Sequence, residues 1–113
     1  MIIFDNLNGT LFDFDGTTQL KDAKGTPLTI KKMLTTVLGS YGVSGAKIPG
    51  DELVRSYDLA VKIYNAQNQI ELDEDQVKFI LKVFESTPMY MAIASGQLFK
   101  YIDKARLQAL SHN

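Results

Sequence analysis

Ile30, Met33, Leu34, Val37, Leu38 and Tyr41 recur at three- and four-residue intervals, a spacing that gathers them on one face of a helix. This predicts a first helix from Thr29 to Tyr41, with Thr29 as its cap and Leu28 as the apolar residue just before it. A second helix is predicted from Asp51 to Ala66, with Leu53, Val54, Tyr57, Ala60, Val61 and Tyr64 on its buried side. Asp51 and Glu52 fall at its amino end, where the helix dipole favours negative charge. Asp73 followed by Gln76 has the spacing of a capping box and opens a third helix to Glu85, striped by Val77, Ile80, Leu81 and Phe84. Thr87-Pro88 reads as a cap followed by proline at the first helical position. The fourth helix then runs from Pro88 to Leu110, with Ala92, Leu98, Tyr101, Ile102 and Ala105 as core positions. Gly96 within it marks a bend or the close approach of another helix.

Ahead of the helices the pattern shortens. Met1 to Phe4 is apolar, and Asp5-Asn6-Leu7-Asn8-Gly9 has the composition of a turn. Thr10 to Phe14 alternates like a strand, Asp15-Gly16 is the dipeptide of a tight hairpin turn, and Thr17 to Leu20 forms the return. Lys21 to Gly25 is a second polar turn, and Thr26-Pro27-Leu28 leads into the first helix. Between the first two helices, Gly39 to Gly50 holds four glycines and Pro49, which predicts the longest loop. Gln69 to Leu72 reads as a short extended link. The expected fold is α+β, mainly α: one domain over 1–113, with a β-hairpin or small antiparallel sheet in 1–28 and a bundle of three to four helices in 29–113.

Composition narrows the chemistry. The chain has 113 residues, 45% of them hydrophobic and 22% charged, as in an ordinary soluble domain. A formal charge of -1 gives no basic excess for phosphate neutralisation, so nucleic-acid binding is not expected. The absence of cysteine excludes disulfides, zinc-thiolate sites and thiol catalysis, and the single histidine, His112, stands next to the end. No apolar run is long enough to span a bilayer, so a cytoplasmic protein without membrane contact is predicted. The helices are apolar over wide arcs, and the fourth opens with Met89-Tyr90-Met91-Ala92-Ile93-Ala94. More apolar surface is on offer than so small a core can take, which predicts a homo-oligomer.

One stretch proposes a reaction. Leu11-Phe12-Asp13-Phe14-Asp15-Gly16-Thr17-Thr18 resembles the opening motif of the haloacid dehalogenase superfamily of phosphatases and phosphotransferases. That resemblance implies Asp13 as nucleophile, Asp15 as general acid/base and a magnesium ion held by both, neutralising the phosphate's charge. Met91-Ala92-Ile93-Ala94-Ser95-Gly96 resembles the second motif of that family, an apolar strand ending in Ser or Thr. The family also uses a lysine and a further acidic pair on later strands. Here Gln97 to Asn113 reads as helix, and Gly50-Asp51 precedes the serine motif and lacks a strand before it. A parallel sheet alternating with helices is also absent from the pattern. The expectation is therefore a turn at Asp15-Gly16 and a protein that is not an enzyme and carries no cofactor. A magnesium-dependent phosphotransferase using Asp13 and Asp15 is the alternative.

A second likeness covers almost the whole chain. Asn8-Gly9-Thr10-Leu11, Asp13-Phe14-Asp15-Gly16, Leu20-Lys21-Asp22, Gly25-Thr26-Pro27-Leu28-Thr29, Arg55 to Tyr64, Glu71 to Asp75 and Gly96-Gln97-Leu98 resemble small uncharacterised proteins of tailed phages and prophages. The resemblance implies an accessory protein, host-directed or acting against host defence, that binds a protein partner in the host-cell cytoplasm. It carries no catalytic residues.

The remaining chemistry-bearing residues have structural readings. Tyr41, Tyr57, Tyr64, Tyr90 and Tyr101 can stack on a base, and at helical core spacing they are expected to pack with the hydroxyl outward. Asp73, Glu74 and Asp75 suit a helix amino terminus as well as a cation. Gly42 to Gly50 lacks the strand and Gly-Lys-Ser/Thr ending of a phosphate loop. Lys31, Lys32, Lys47, Arg55, Lys62, Lys78, Lys82, Lys100, Lys104 and Arg106 read as solvated faces. A third hypothesis uses these tyrosines and basic residues to sequester a nucleotide or other small ligand between subunits.

Overall fold

The computed structural model of the protein describes residues 1–43, 45 and 47–111; His112 and part of the Gly42 to Gly50 loop lie outside them. It is an α+β protein, mainly α, as the pattern predicts: β1 (Ile2–Phe4), α1 (Ile30–Gly39), α2 (Gly50–Asn65), β2 (Ile70–Leu72), α3 (Glu74–Ser86) and α4 (Ala92–Ser111). No helix among the described residues is long and apolar enough to cross a membrane.

The two strands form an antiparallel pair with register Ile2 to Leu72, Ile3 to Glu71 and Phe4 to Ile70. Both alternate in the same phase, so Ile2, Phe4, Ile70 and Leu72 face the core while Ile3 and Glu71 face out. The segment expected to be a connecting link is thus half of the sheet. Strand alternation is present in Ile70-Glu71-Leu72, but three residues become a strand only because β1 supplies the other ladder. Phe4 meets Tyr101 of α4 edge-to-face at 5.4 Å, and the Tyr101 hydroxyl donates to the Asp5 carbonyl. Burial pushes the Tyr101 hydroxyl's pKa up.

Residues 10 to 29 do not form a regular ladder. Three isolated bridges, Thr10 to Thr29, Phe12 to Gln19 and Lys21 to Pro27, join three passes of the chain. At their junction the Leu11 N–H donates to the Leu28 carbonyl, Leu28 to Leu20, and Leu20 to Leu11, closing a ring of three backbone bonds at 2.8 to 3.0 Å. Leu11 and Leu28 are buried beneath it.

α1 follows its pattern: Thr29 Oγ1 accepts from the Lys32 N–H at 3.0 Å, and Ile30, Met33, Leu34, Val37 and Leu38 are buried. α3 opens with the predicted capping box, Asp73 accepting from the Gln76 N–H at 2.7 Å and the Gln76 side chain accepting from the Asp73 N–H at 2.9 Å. Its buried stripe is wider than predicted, adding Phe79 and Val83, while Leu81 is half-buried.

α2 departs from expectation. Its buried side chains are Ser56, Leu59 and Ile63, whereas Leu53, Val54, Tyr57, Val61 and Tyr64 are exposed. The helix is apolar on two sides, and packing on α1 selects the side with the smaller residue: Ser56 Oγ donates to the buried Leu38 carbonyl at 2.7 Å. Close approach at Ser56 favours that face over one carrying two tyrosines.

Pro88 does not start α4. Thr87 ends α3, its N–H donating to the Phe84 carbonyl, and its hydroxyl is buried with no hydrogen-bond partner among the described residues. α4 begins at Ala92, where the Ala94 and Ser95 N–H groups reach the Met91 carbonyl at 3.0 Å. Ala92 is exposed, and Ala94, Leu98, Ile102 and Ala105 form the buried face. Gly96 is helical with open space around its α-carbon, so the close approach of another helix does not explain it.

Candidate functional site

Asp13 and Asp15 sit at the tip of the bridged region. Gly16 donates to the Asp13 carbonyl at 2.9 Å and the Asp13 N–H to the Thr18 carbonyl at 2.8 Å, so residues 14–17 form a four-residue loop, wider than a two-residue Asp-Gly turn. Gly16 has φ +75°, the left-handed region that favours glycine, which explains why the Asp-Gly pair occurs here. The Asp15 carboxylate braces the loop: Oδ1 accepts from the Thr17 N–H at 2.9 Å and the Thr18 N–H at 2.8 Å, and Oδ2 from the Thr18 hydroxyl at 2.5 Å. The Thr18 hydroxyl and then the backbone N–H donors lower its pKa to about 2. Asp13 Oδ1 accepts from the Phe14 N–H at 2.7 Å.

The Met91 to Gly96 segment, which the dehalogenase resemblance reads as a strand, enters α4 at Ala92, and Ser95 Oγ donates back to the Tyr90 carbonyl at 3.1 Å. The fold nevertheless brings this segment to the loop. Phe12, Asp13, Phe14 and Gly16 line one wall of a shallow cleft of about 460 Å³, and Ala92, Ile93, Gly96, Gln97 and Lys100 line the other. Asp13 and Lys100 are its charged groups; Asp15 and Ser95 are not in its lining. Gln97 fixes the walls together, its Oε1 accepting from the Phe12 N–H at 3.2 Å and its Nε2 donating to the Phe12 carbonyl at 2.6 Å and the Ile93 carbonyl at 2.7 Å. A side-chain amide here replaces a missing strand neighbour. Gly96 leaves open space in the cleft wall.

Several of the basic residues make specific contacts while staying at the surface or half-buried. Lys31 Nζ donates to the carbonyls of Ala66 and Gln67, just past the end of α2, where free carbonyls and the dipole attract a cation. Arg55 lies 4.5 Å over the Phe79 ring. Lys82 pairs with Glu52 at 2.7 Å, and the Tyr41 hydroxyl adds a bond to the same carboxylate at 3.1 Å. The Lys82 bond draws the Glu52 pKa down, and the carboxylate raises that of Lys82. Arg106 pairs with Glu74 at the start of α3, accounting for one of the three acidic residues there. Tyr41, Tyr90 and Tyr101 are half-buried as expected, whereas Tyr57 and Tyr64, two turns apart on α2, are exposed.

Comparison with family models, with curated proteins and with solved structures returned no match.

Proposed function

We propose that this chain is a non-enzymatic binding protein, a homo-oligomer that engages a protein partner, in the manner expected of a phage or prophage accessory factor in the host cytoplasm. The carrying observation is the outward face of α2, where Val54, Tyr57, Val61 and Tyr64 stand exposed together. Contiguous apolar surface of this kind marks interaction sites. The braced Asp15 loop supports the reading from the other side, because its carboxylate oxygens already serve backbone and hydroxyl donors. Light scattering over a wide concentration range tests the oligomer: a rise above the monomer mass is expected, and a strict monomer throughout counts against it.

The second reading is a magnesium-dependent phosphotransferase using Asp13 and Asp15, favoured by the cleft that puts Asp13 and Lys100 together. It requires magnesium-dependent hydrolysis of a generic phosphate ester that disappears in Asp13→Asn. Melting curves with and without magnesium, run beside the Asp13→Asn/Asp15→Asn variant, provide an independent check, since a ligand that binds only the folded state raises its stability. No magnesium response is expected, and a response confined to the wild type would revive the enzyme.

A further inference from the structure

We propose that the outward face of α2 is a dimer seam that pairs antiparallel with α2 of a second copy; this rests on the binding reading above and specifies its surface. Val54, Tyr57, Val61 and Tyr64 follow at three, four and three residues along one helix, which is the repeat of a two-helix seam that packs side chains into facing gaps. They are 59%, 65%, 39% and 70% exposed, with Leu53 beside them at 40%. The opposite face, Ser56, Leu59 and Ile63, is already buried.

The area comes close to what a dimer needs. Two tyrosines and three aliphatic side chains at these exposures leave on the order of 600 Å² of surface per copy. That is the upper end of what a monomer leaves uncovered, and with a polar rim it approaches the roughly 800 Å² per partner of a stable interface.

The order of residues selects the occupant and its direction. A two-fold interface must be self-complementary. Turned antiparallel about a point near Leu59, the helix places Val54 level with Tyr64 of the second copy and Tyr57 level with its Val61. Every layer then sets a large side chain against a small one, the arrangement that fills facing positions without voids. Parallel pairing stacks tyrosine on tyrosine and leaves valine facing valine. Antiparallel packing also opposes the helix dipoles favourably. At the rim, Asp58 of one copy comes within about 3 Å, along the axis, of the level of Lys62 of the other, twice by symmetry. Neither residue has a salt-bridge partner among the described residues, so both are available to pair across the seam.

The chain has no cysteine, so introduced thiols report the pairing cleanly. Sedimentation equilibrium of the wild-type protein, Tyr57→Asp, and the Val54→Cys and Tyr64→Cys variants singly and combined, with a short thiol crosslinker, tests it. Expected are a wild-type dimer and a dissociation constant raised at least about 100-fold in Tyr57→Asp, where a carboxylate enters the seam unpaired. The combined cysteine variant should crosslink into dimers. Each single variant should not, because its thiols then lie about 15 Å apart along the axis. A wild-type dimer that Tyr57→Asp and the crosslinks leave untouched overturns the seam and leaves the binding function standing. A single variant that crosslinks to its own copy overturns the antiparallel direction. A monomeric wild type removes both seam and homo-oligomer.

Discussion

Removing the Gln97 amide should loosen the amino-terminal region from α4. Its two bonds to Phe12, at 3.2 Å and 2.6 Å, join residues 85 apart in the chain. A hydrogen bond contributes about 0.5–1.5 kcal/mol net, and Phe12 is an exposed residue that water can reach, so Gln97→Ala is expected to cost about 1–2 kcal/mol. For a domain of this size that lowers Tm by roughly 4–8 °C. Gln97→Glu tests the direction of the bonds. At neutral pH the introduced carboxylate still accepts from the Phe12 N–H, but its second oxygen faces the Phe12 carbonyl without a proton to donate. That variant should be less stable than Gln97→Ala at neutral pH. Its folded state favours the protonated carboxyl, so the folded pKa lies above the ordinary glutamate value near 4.3 and the lost stability returns as pH falls through that range. Urea melts give the free energies, and amide exchange at Phe12 locates the change. Normal Phe12 protection in a destabilised Gln97→Ala, or a Gln97→Glu more stable than Gln97→Ala at neutral pH, would refute the reasoning.

Two further outcomes follow from single contacts. Asp15 should titrate near 2, well below its ordinary 3.8; its folded pKa is depressed, so its contribution is present above the ordinary value and is lost as pH falls towards 2. A carboxyl NMR titration checks this, and a midpoint near 4 would show that the loop bonds do not hold in solution. Ser56→Ala should cost about 1–3 kcal/mol in a urea melt, because it leaves the buried Leu38 carbonyl without its donor; wild-type stability would mean that water reaches that carbonyl.

The Asp15 loop shows how a motif can be legible in its residues while its local geometry is not. Asp-x-Asp-Gly-Thr suits a braced turn as well as a catalytic strand end, and here Gly16 takes a positive φ while the Asp15 carboxylate accepts from the loop N–H groups. The Asp13–Lys100 cleft was not legible at all: Lys100 has the spacing of an ordinary solvated helix position, and only the docking of α4 against the loop brings it near Asp13. Gln97 likewise carries no local sign of pairing with Phe12.

What the sequence by itself determined was set by interactions within a few residues: the existence of the four helices, the one-sided stripe of α1, and the caps at Thr29 and Asp73. Tertiary structure decided everything that depends on a distant partner. Ile70-Glu71-Leu72 is a strand because Ile2 to Phe4 lies beside it. Pro88 follows α3 instead of opening α4, whose first turn starts at Ala92. α2 carries two apolar faces at nearly equivalent spacing, and periodicity cannot rank them. Contact with α1 does, through Ser56 and the Leu38 carbonyl, because a small side chain with a buried bond lets two helices approach where tyrosines would hold them apart.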